Sequence, residues 1–152
     1  MAHQYEAVVT AQGGRAGRVK SDDGYIDFQV AIPKEMGGPG GATNPEQLFA
    51  AGYSACFGSA IAHVARGQRL SLDRSQITAR VAIDPDGQGG FGLSVRLDID
   101  LPSIDEATAW RLIDEAHQVC PYSNATRGNI PVELALVTSR AASLSKPAAP
   151  VS

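Results

Sequence analysis

Between Glu46 and Arg66 the chain carries no charged side chain for nineteen positions, QLFAAGYSACFGSAIAHVA, residues 47–65. A helix start precedes this run. Asn44 can act as N-cap, Pro45 suits the first helical position, and Gln47 stands where a capping-box partner belongs. A helix that is uncharged all round is enclosed in a core or spans a membrane. The length is close to the roughly 20 residues a span needs. However, Gln47, Tyr53, Ser54, Ser59 and His63 interrupt the run, and Ala and Gly outnumber the large aliphatics. The expectation is a buried central helix with Cys56, one of two cysteines in the protein, at its middle.

A chain of 152 residues is long enough to enclose one core. The sequence predicts one domain over residues 1–137 and a disordered tail over 138–152, where TSRAASLSKPAAPVS is low in complexity. Net charge is −3 with no basic cluster, which argues against nucleic acid or an anionic membrane surface as partner. The start, MAHQYEAVV, lacks the basic-then-apolar pattern of a secretory signal, so a cytoplasmic location is expected. Thiols are kept reduced there, and a disulfide would be redox-active instead of structural. Cys56 and Cys120 are then either small buried hydrophobes or working thiols.

Residues 5–11 suit a first strand by β-branched content, and GGRAG at Gly13–Gly17 reads as a turn with Arg15 at its tip. Ile26, Phe28 and Val30 alternate with Asp27 and Gln29, as in a half-buried strand after the turn Asp23-Gly24. Met36–Thr43 is a Gly-rich connector or lid without the pattern of a phosphate loop. Gly67 is placed to end the central helix. A hairpin follows: Ile77, Ala79, Val81 and Ile83 mark one strand, and Phe91, Leu93, Val95, Leu97, Ile99 and Leu101 mark the other. Ser103 to Glu106 reads as a capping box opening a second helix, with apolar face Ala109, Leu112, Ile113, Ala116 and then Cys120. Val132–Val137 is a last strand. The order βββ-α-ββ-α-β predicts an α+β domain with antiparallel sheet packed on helices.

The chemistry rests on the two cysteines. They are 64 positions apart and not in a C-x-x-C motif. His117 and Cys120, at i and i+3, could share a metal ion, and zinc held by Cys56, Cys120, His117 and one further ligand stays open. Thiol redox chemistry needs a thiolate, and an ordinary thiol with a pKa near 8.5 is mostly protonated at neutral pH. Mid-helix Cys56 gains nothing from the N-terminus of its own helix, so a cation must come from elsewhere. Arg15 on its glycine-flanked turn is the candidate, with Glu46, the one acid at the head of the helix, as its partner. The same pair could instead be only a salt bridge that pins the turn to the helix. Glu46 and Cys56 are ten residues apart, about 15 Å along a helix axis, and cannot meet within one straight helix. A second subunit with an antiparallel central helix would bring Arg15 and Glu46 to Cys56, and Ala51, Gly52, Ala55, Gly58 and Ala62 would permit the close approach.

Three stretches, TNPEQLFAAGYSACF at Thr43–Phe57, CPYSNATRGNIPV at Cys120–Val132 and GGRAG at Gly13–Gly17, closely resemble the organic hydroperoxide resistance (Ohr) branch of the OsmC/Ohr family. The resemblance runs in order over residues 5–137. It implies the OsmC-like fold: an intertwined homodimer with shared active sites, two central helices and enclosing sheet. It also implies a cofactor-free thiol peroxidase that reduces organic hydroperoxides. By resemblance Cys56 is the peroxidatic cysteine, Cys120 the resolving one, and Arg15 and Glu46 the charged pair beside the reactive thiol. The implied reductant is an external dithiol, dihydrolipoamide or a lipoylated protein. From position alone, Met36, Phe49 and Phe57 are expected to line the entrance. A redox-sensing thiol protein without turnover and a ligand- or metal-binding domain are the competing classes.

Overall fold

The computed structural model of the chain describes residues 2–138 and 141–146. It divides into two compact units, Met1–Leu48 and Phe49–Ser152. In the first, β1 (Val9–Gln12), β2 (Arg18–Ser21) and β3 (Asp27–Gln29) form an antiparallel sheet in the order β1-β2-β3. The first strand begins at Val9, later than its β-branched content predicts, because β2 offers partners only from Val9 to Gln12. Val30 leaves the sheet buried and bridges to Thr43, closing the Gly-rich connector. That connector is held by main-chain bonds, with the Gly38 N–H on the Pro33 carbonyl and the Gly40 N–H on that of Ile32, both at 3.0 Å.

Helix α1 runs unbroken from Pro45 to Gly67. The Asn44 side chain accepts the Gln47 N–H at 2.9 Å, the predicted cap. At the far end the terminator is not Gly67. Arg69 takes the left-handed conformation, φ 56°, while the Arg69 N–H reaches the Arg66 carbonyl at 3.1 Å and the Leu70 N–H reaches that of Ala65 at 2.8 Å. Both bonds satisfy carbonyls that the last helical turn leaves open.

In the second unit β4 (Gln76–Pro85), β5 (Phe91–Asp100), β6 (Val132–Thr138) and β7 (Ala141–Lys146) form a four-stranded sheet in that order. The predicted hairpin is present, with Asp86 at its turn accepting the Gln88 and Gly90 N–H groups. The sheet is not wholly antiparallel, since β5 and β6 run parallel from Val95↔Val132 to Asp100↔Val137. The helical crossover α2 (Glu106–Val119) and α3 (Pro121–Thr126) returns the chain to the end it left, which a parallel pair requires. Strand β7 falls within the segment expected to be a disordered tail. Its main chain extends the sheet at the edge of β6, a pairing that low side-chain complexity does not prevent. Residues 139–140 and 147–152 of that expectation lie outside the described residues.

Helix α2 starts two residues later than the Ser103 capping box predicts. Asp105 is the N-cap, accepting the Thr108 N–H, and the Ser103 hydroxyl accepts the Asp73 N–H instead. Its predicted inner face, Ala109, Leu112, Ile113 and Ala116, is fully enclosed. These pack with Tyr53, Phe57 and Ile61 of α1 and Val95, Leu97 and Ile99 of β5. Each large aliphatic so enclosed contributes about 1.5–3 kcal/mol. Among the described residues α1 is the one helix long and apolar enough to cross a membrane, yet it spends its large side chains on this core.

Candidate active site

Arg15 sits on a short 3-10 turn, Gly14–Ala16, that links β1 to β2. Gly13 enters it at φ 80°, and a Cβ on Gly17 would lie 1.7 Å from the Gln12 carbonyl oxygen, so neither position admits another residue without moving the loop. The turn aims the guanidinium at Glu46 in the first turn of α1. Arg15 Nη1 donates to Glu46 Oε2 at 2.9 Å and Nη2 to Oε1 at 2.6 Å, a two-pronged pair. Arg15's hydrogen bond holds the Glu46 carboxyl below its ordinary range against the opposing effect of burial. The carboxylate in turn raises the guanidinium, which stays charged.

In the second unit α1 presents Cys56, half-buried, to Cys120, which is fully buried. Their sulfur atoms are 3.6 Å apart, and both thiols are free. A disulfide is about 2.05 Å long, so closing it takes a relative movement of about 1.5 Å. Cys120 occupies the joint between α2 and α3: its N–H ends α2 on the Ala116 carbonyl, and its own carbonyl accepts the Asn124 N–H to begin α3. Pro121 follows at the first helical position, where its ring is preorganised. The next residue, Tyr122, turns its backbone N–H toward Cys56 Sγ. Burial pushes the Cys56 thiol above its ordinary value, this N–H opposes the rise, and the neighbouring Cys120 adds to it.

Helix α3 is fastened to α1 by a buried polar contact. The Tyr53 hydroxyl meets Ser123 Oγ at 2.8 Å and Thr126 Oγ1 at 3.2 Å. Arg127, just after α3, ties that helix to α2 instead by donating to the His117 carbonyl. A cavity of about 410 Å³ opens between Phe49, Leu93 and the α3 segment, lined there by Pro121 and Tyr122, the two residues after Cys120, and by Ala125, Thr126, Asn129 and Ile130; neither cysteine is part of the lining. The lining is mostly apolar, suited to an organic group.

Of the residues expected at the entrance, Phe49 is on this wall. Phe57 is not: it is wholly enclosed in the core and stacks tilted against His117, 6.5 Å between ring centroids. Phe57 follows Cys56 directly, and successive helical positions point about 100° apart, so the exposed edge of one is the core side of the other. Met36 is exposed on a 3-10 turn, Lys34–Met36, in the first unit. Among the described residues no three His, Cys, Asp or Glu side chains are grouped to hold a metal ion. His117, the third member of the zinc alternative, keeps a buried Nδ1 without a partner, and burial lowers its pKa so that it is held neutral.

Residues 38–135, more than half of the chain, match the family described as OsmC-like protein. This chain belongs to that family. It is 53% identical over 136 residues to the organic hydroperoxide resistance protein of Xanthomonas axonopodis pv. citri, covering 87% of this chain and 94% of the relative. It is 49% identical over 135 residues to the organic hydroperoxide resistance protein OhrB of Bacillus subtilis, covering 87% of this chain and 97% of that one. Among solved structures, an organic hydroperoxide resistance protein from Elizabethkingia anophelis superposes with a TM-score of 0.86 at 48% identity, covering 91% of this chain and all of that one.

Two features of this OsmC-like protein escaped the sequence reading. Helix α3 was hidden because Pro121 ends one helix and begins the next; a proline after a capping position signals a start as well as a stop. The Tyr53–Ser123–Thr126 contact joins positions 70 and 73 residues apart, and nothing local announces it.

Proposed function

We propose that this protein is a cysteine-based peroxidase that reduces organic hydroperoxides to alcohols. The observation that carries the reading is the pair of free thiols 3.6 Å apart, and an apolar cavity lined by Pro121 and Tyr122, the residues that follow Cys120, suits an organic substrate. Its relatives' names, organic hydroperoxide resistance protein, support the substrate class. The Cys56 thiolate attacks the distal oxygen of the hydroperoxide. The O–O bond breaks, the alkoxide takes up a proton and leaves as alcohol, and the sulfur is oxidised to sulfenic acid. The Cys120 thiol then attacks that sulfur, releasing water and forming the Cys56–Cys120 disulfide. An external dithiol, of which dihydrolipoamide or a lipoylated protein is the proposed form, reduces it and is itself oxidised to a disulfide. No bound cofactor takes part in this cycle, and the need for reduced thiols between turnovers suits the cytoplasm.

Burial raises the Cys56 thiol, so the reaction needs a cation near it. Arg15, held charged and aimed by Glu46, is assigned that role. The proposed assembly is a homodimer in which Arg15 and Glu46 of one subunit serve Cys56 of the other. In support, Ala51, Ala55 and Ser59, each one turn apart, leave an uncharged exposed stripe on α1. Subunits bearing Arg15→Ala and subunits bearing Cys56→Ser, each inactive alone, should on mixing recover about half the wild-type activity per mixed dimer, because one site becomes complete. No recovery despite subunit exchange would refute sharing.

The function itself is tested by hydroperoxide consumption with purified protein. Multiple turnovers of cumene hydroperoxide are expected with dihydrolipoamide, and far fewer with glutathione or thioredoxin. Oxidation of Cys56 without turnover in any dithiol would instead make it a redox-sensing protein.

A further inference from the structure

Gly52 stands one turn before Cys56 on the same side of α1. A Cβ at this position would lie 2.6 Å from the Tyr122 hydroxyl oxygen and 3.1 Å from two of its ring carbons. Such separations are well inside van der Waals contact, so the phenol ring occupies the space any side chain at 52 would need. The ring is 38% exposed, so it can yield only toward solvent, away from α1. Phe49 lies edge-on at 6.2 Å and Tyr53 tilted at 5.7 Å, and the start of α3 beneath it is tied to α1 through the buried Tyr53 hydroxyl. Tyr122 also has two duties at the site. Its backbone N–H is the donor turned toward Cys56 Sγ, and its ring is part of the cavity wall.

We propose that Gly52 is a positioning residue for the thiol chemistry: its bare Cα seats the Tyr122 ring against α1, which sets both the N–H donor on Cys56 and the shape of the apolar cavity that Tyr122 lines. The inference rests on the peroxidase reading of Cys56, and one of its readouts does not depend on that reading. Glycine is the poorest helix former after proline, so α1 bears a local cost at this position that alanine would remove. Gly52→Ala therefore favours the helix while colliding with Tyr122, and a change in function would trace to the collision instead of to unfolding.

The test compares wild type, Gly52→Ala, Tyr122→Phe and the double variant. The first readout is the pH profile of Cys56 alkylation by iodoacetamide, resolved by peptide mass; Cys120, 3.6 Å away, is the titratable side chain set against it. The second is kcat/KM for cumene hydroperoxide against hydrogen peroxide, which has no organic group to meet the wall. In Gly52→Ala the alkylation midpoint should move to higher pH. The kcat/KM for cumene hydroperoxide should fall on the order of tenfold, and that for hydrogen peroxide should fall less. Removing the phenol oxygen removes the closest clash, so Tyr122→Phe in the Gly52→Ala background should recover part of both effects, judged against Tyr122→Phe alone. An unchanged alkylation profile and substrate ratio in Gly52→Ala, or no recovery in the double variant, would overturn the proposal. If wild type turns over no hydroperoxide with any dithiol, the peroxidase reading fails, and the alkylation profiles alone decide the role of Gly52.

Discussion

Cys56→Ser is expected to abolish dithiol-dependent hydroperoxide turnover, by at least about a thousandfold. A serine hydroxyl is not ionised near neutral pH and its oxygen has no comparable reaction with an O–O bond, whereas a thiolate sulfur displaces alkoxide and is oxidised. The fold should tolerate the change. Cys56 is half-buried, and the core contacts of α1 are made by Tyr53, Phe57 and Ile61, so oxygen in place of sulfur loses little packing. Circular dichroism and a melting curve close to wild type would establish that the loss is chemical. Retention of more than a few per cent of wild-type turnover by this variant would remove Cys56 from the peroxidatic role.

The second large effect is expected from Cys120→Ser, and it is a change of product. With the resolving sulfur gone, the Cys56 sulfenic acid has no thiol within reach, and excess hydroperoxide should carry it on to sulfinic acid. Intact-mass spectrometry separates the outcomes: oxidised wild type should lose two hydrogens, and the variant should gain first one oxygen and then a second. Catalytic turnover should collapse with it. Cys120 is fully enclosed, and a hydroxyl left there without a hydrogen-bond partner costs about 1–3 kcal/mol. Cys120→Ala, which buries no polar atom, should therefore give the same mass gain with a different effect on stability. If oxidised wild type contains no Cys56–Cys120 linkage, the resolving assignment fails, however close the two sulfurs stand in the reduced state.

How much of this was legible beforehand differs from element to element. The cap of α1, the inner face of α2 and the β4–β5 hairpin were readable because each depends on neighbours within a few residues: Asn44 on Gln47, Ala109 on Ile113 and Ala116, one strand on the next. The parallel β5–β6 pairing and strand β7 were not. Main-chain pairing is nearly blind to side-chain identity, and whether a crossover returns a strand parallel depends on what lies between. The entrance expectation failed at Phe57 for a local reason, since a residue adjacent to Cys56 on a helix cannot share its face.

The sequence alone determined which groups could do chemistry: two thiols, one arginine on a glycine-flanked turn, and one acid at the head of an uncharged helix. These follow from residue type and local spacing, and proximity in the chain suffices to infer them. Only the tertiary structure decided that Cys120 sits between two helices, that Tyr53 reaches across to Ser123, and that Tyr122 fits against Gly52. The last two are contacts between positions 70 residues apart, set by how closely α3 can lie on α1. That closeness depends on the size of a side chain that is absent at position 52, and a missing atom has consequence only once its neighbour is in place.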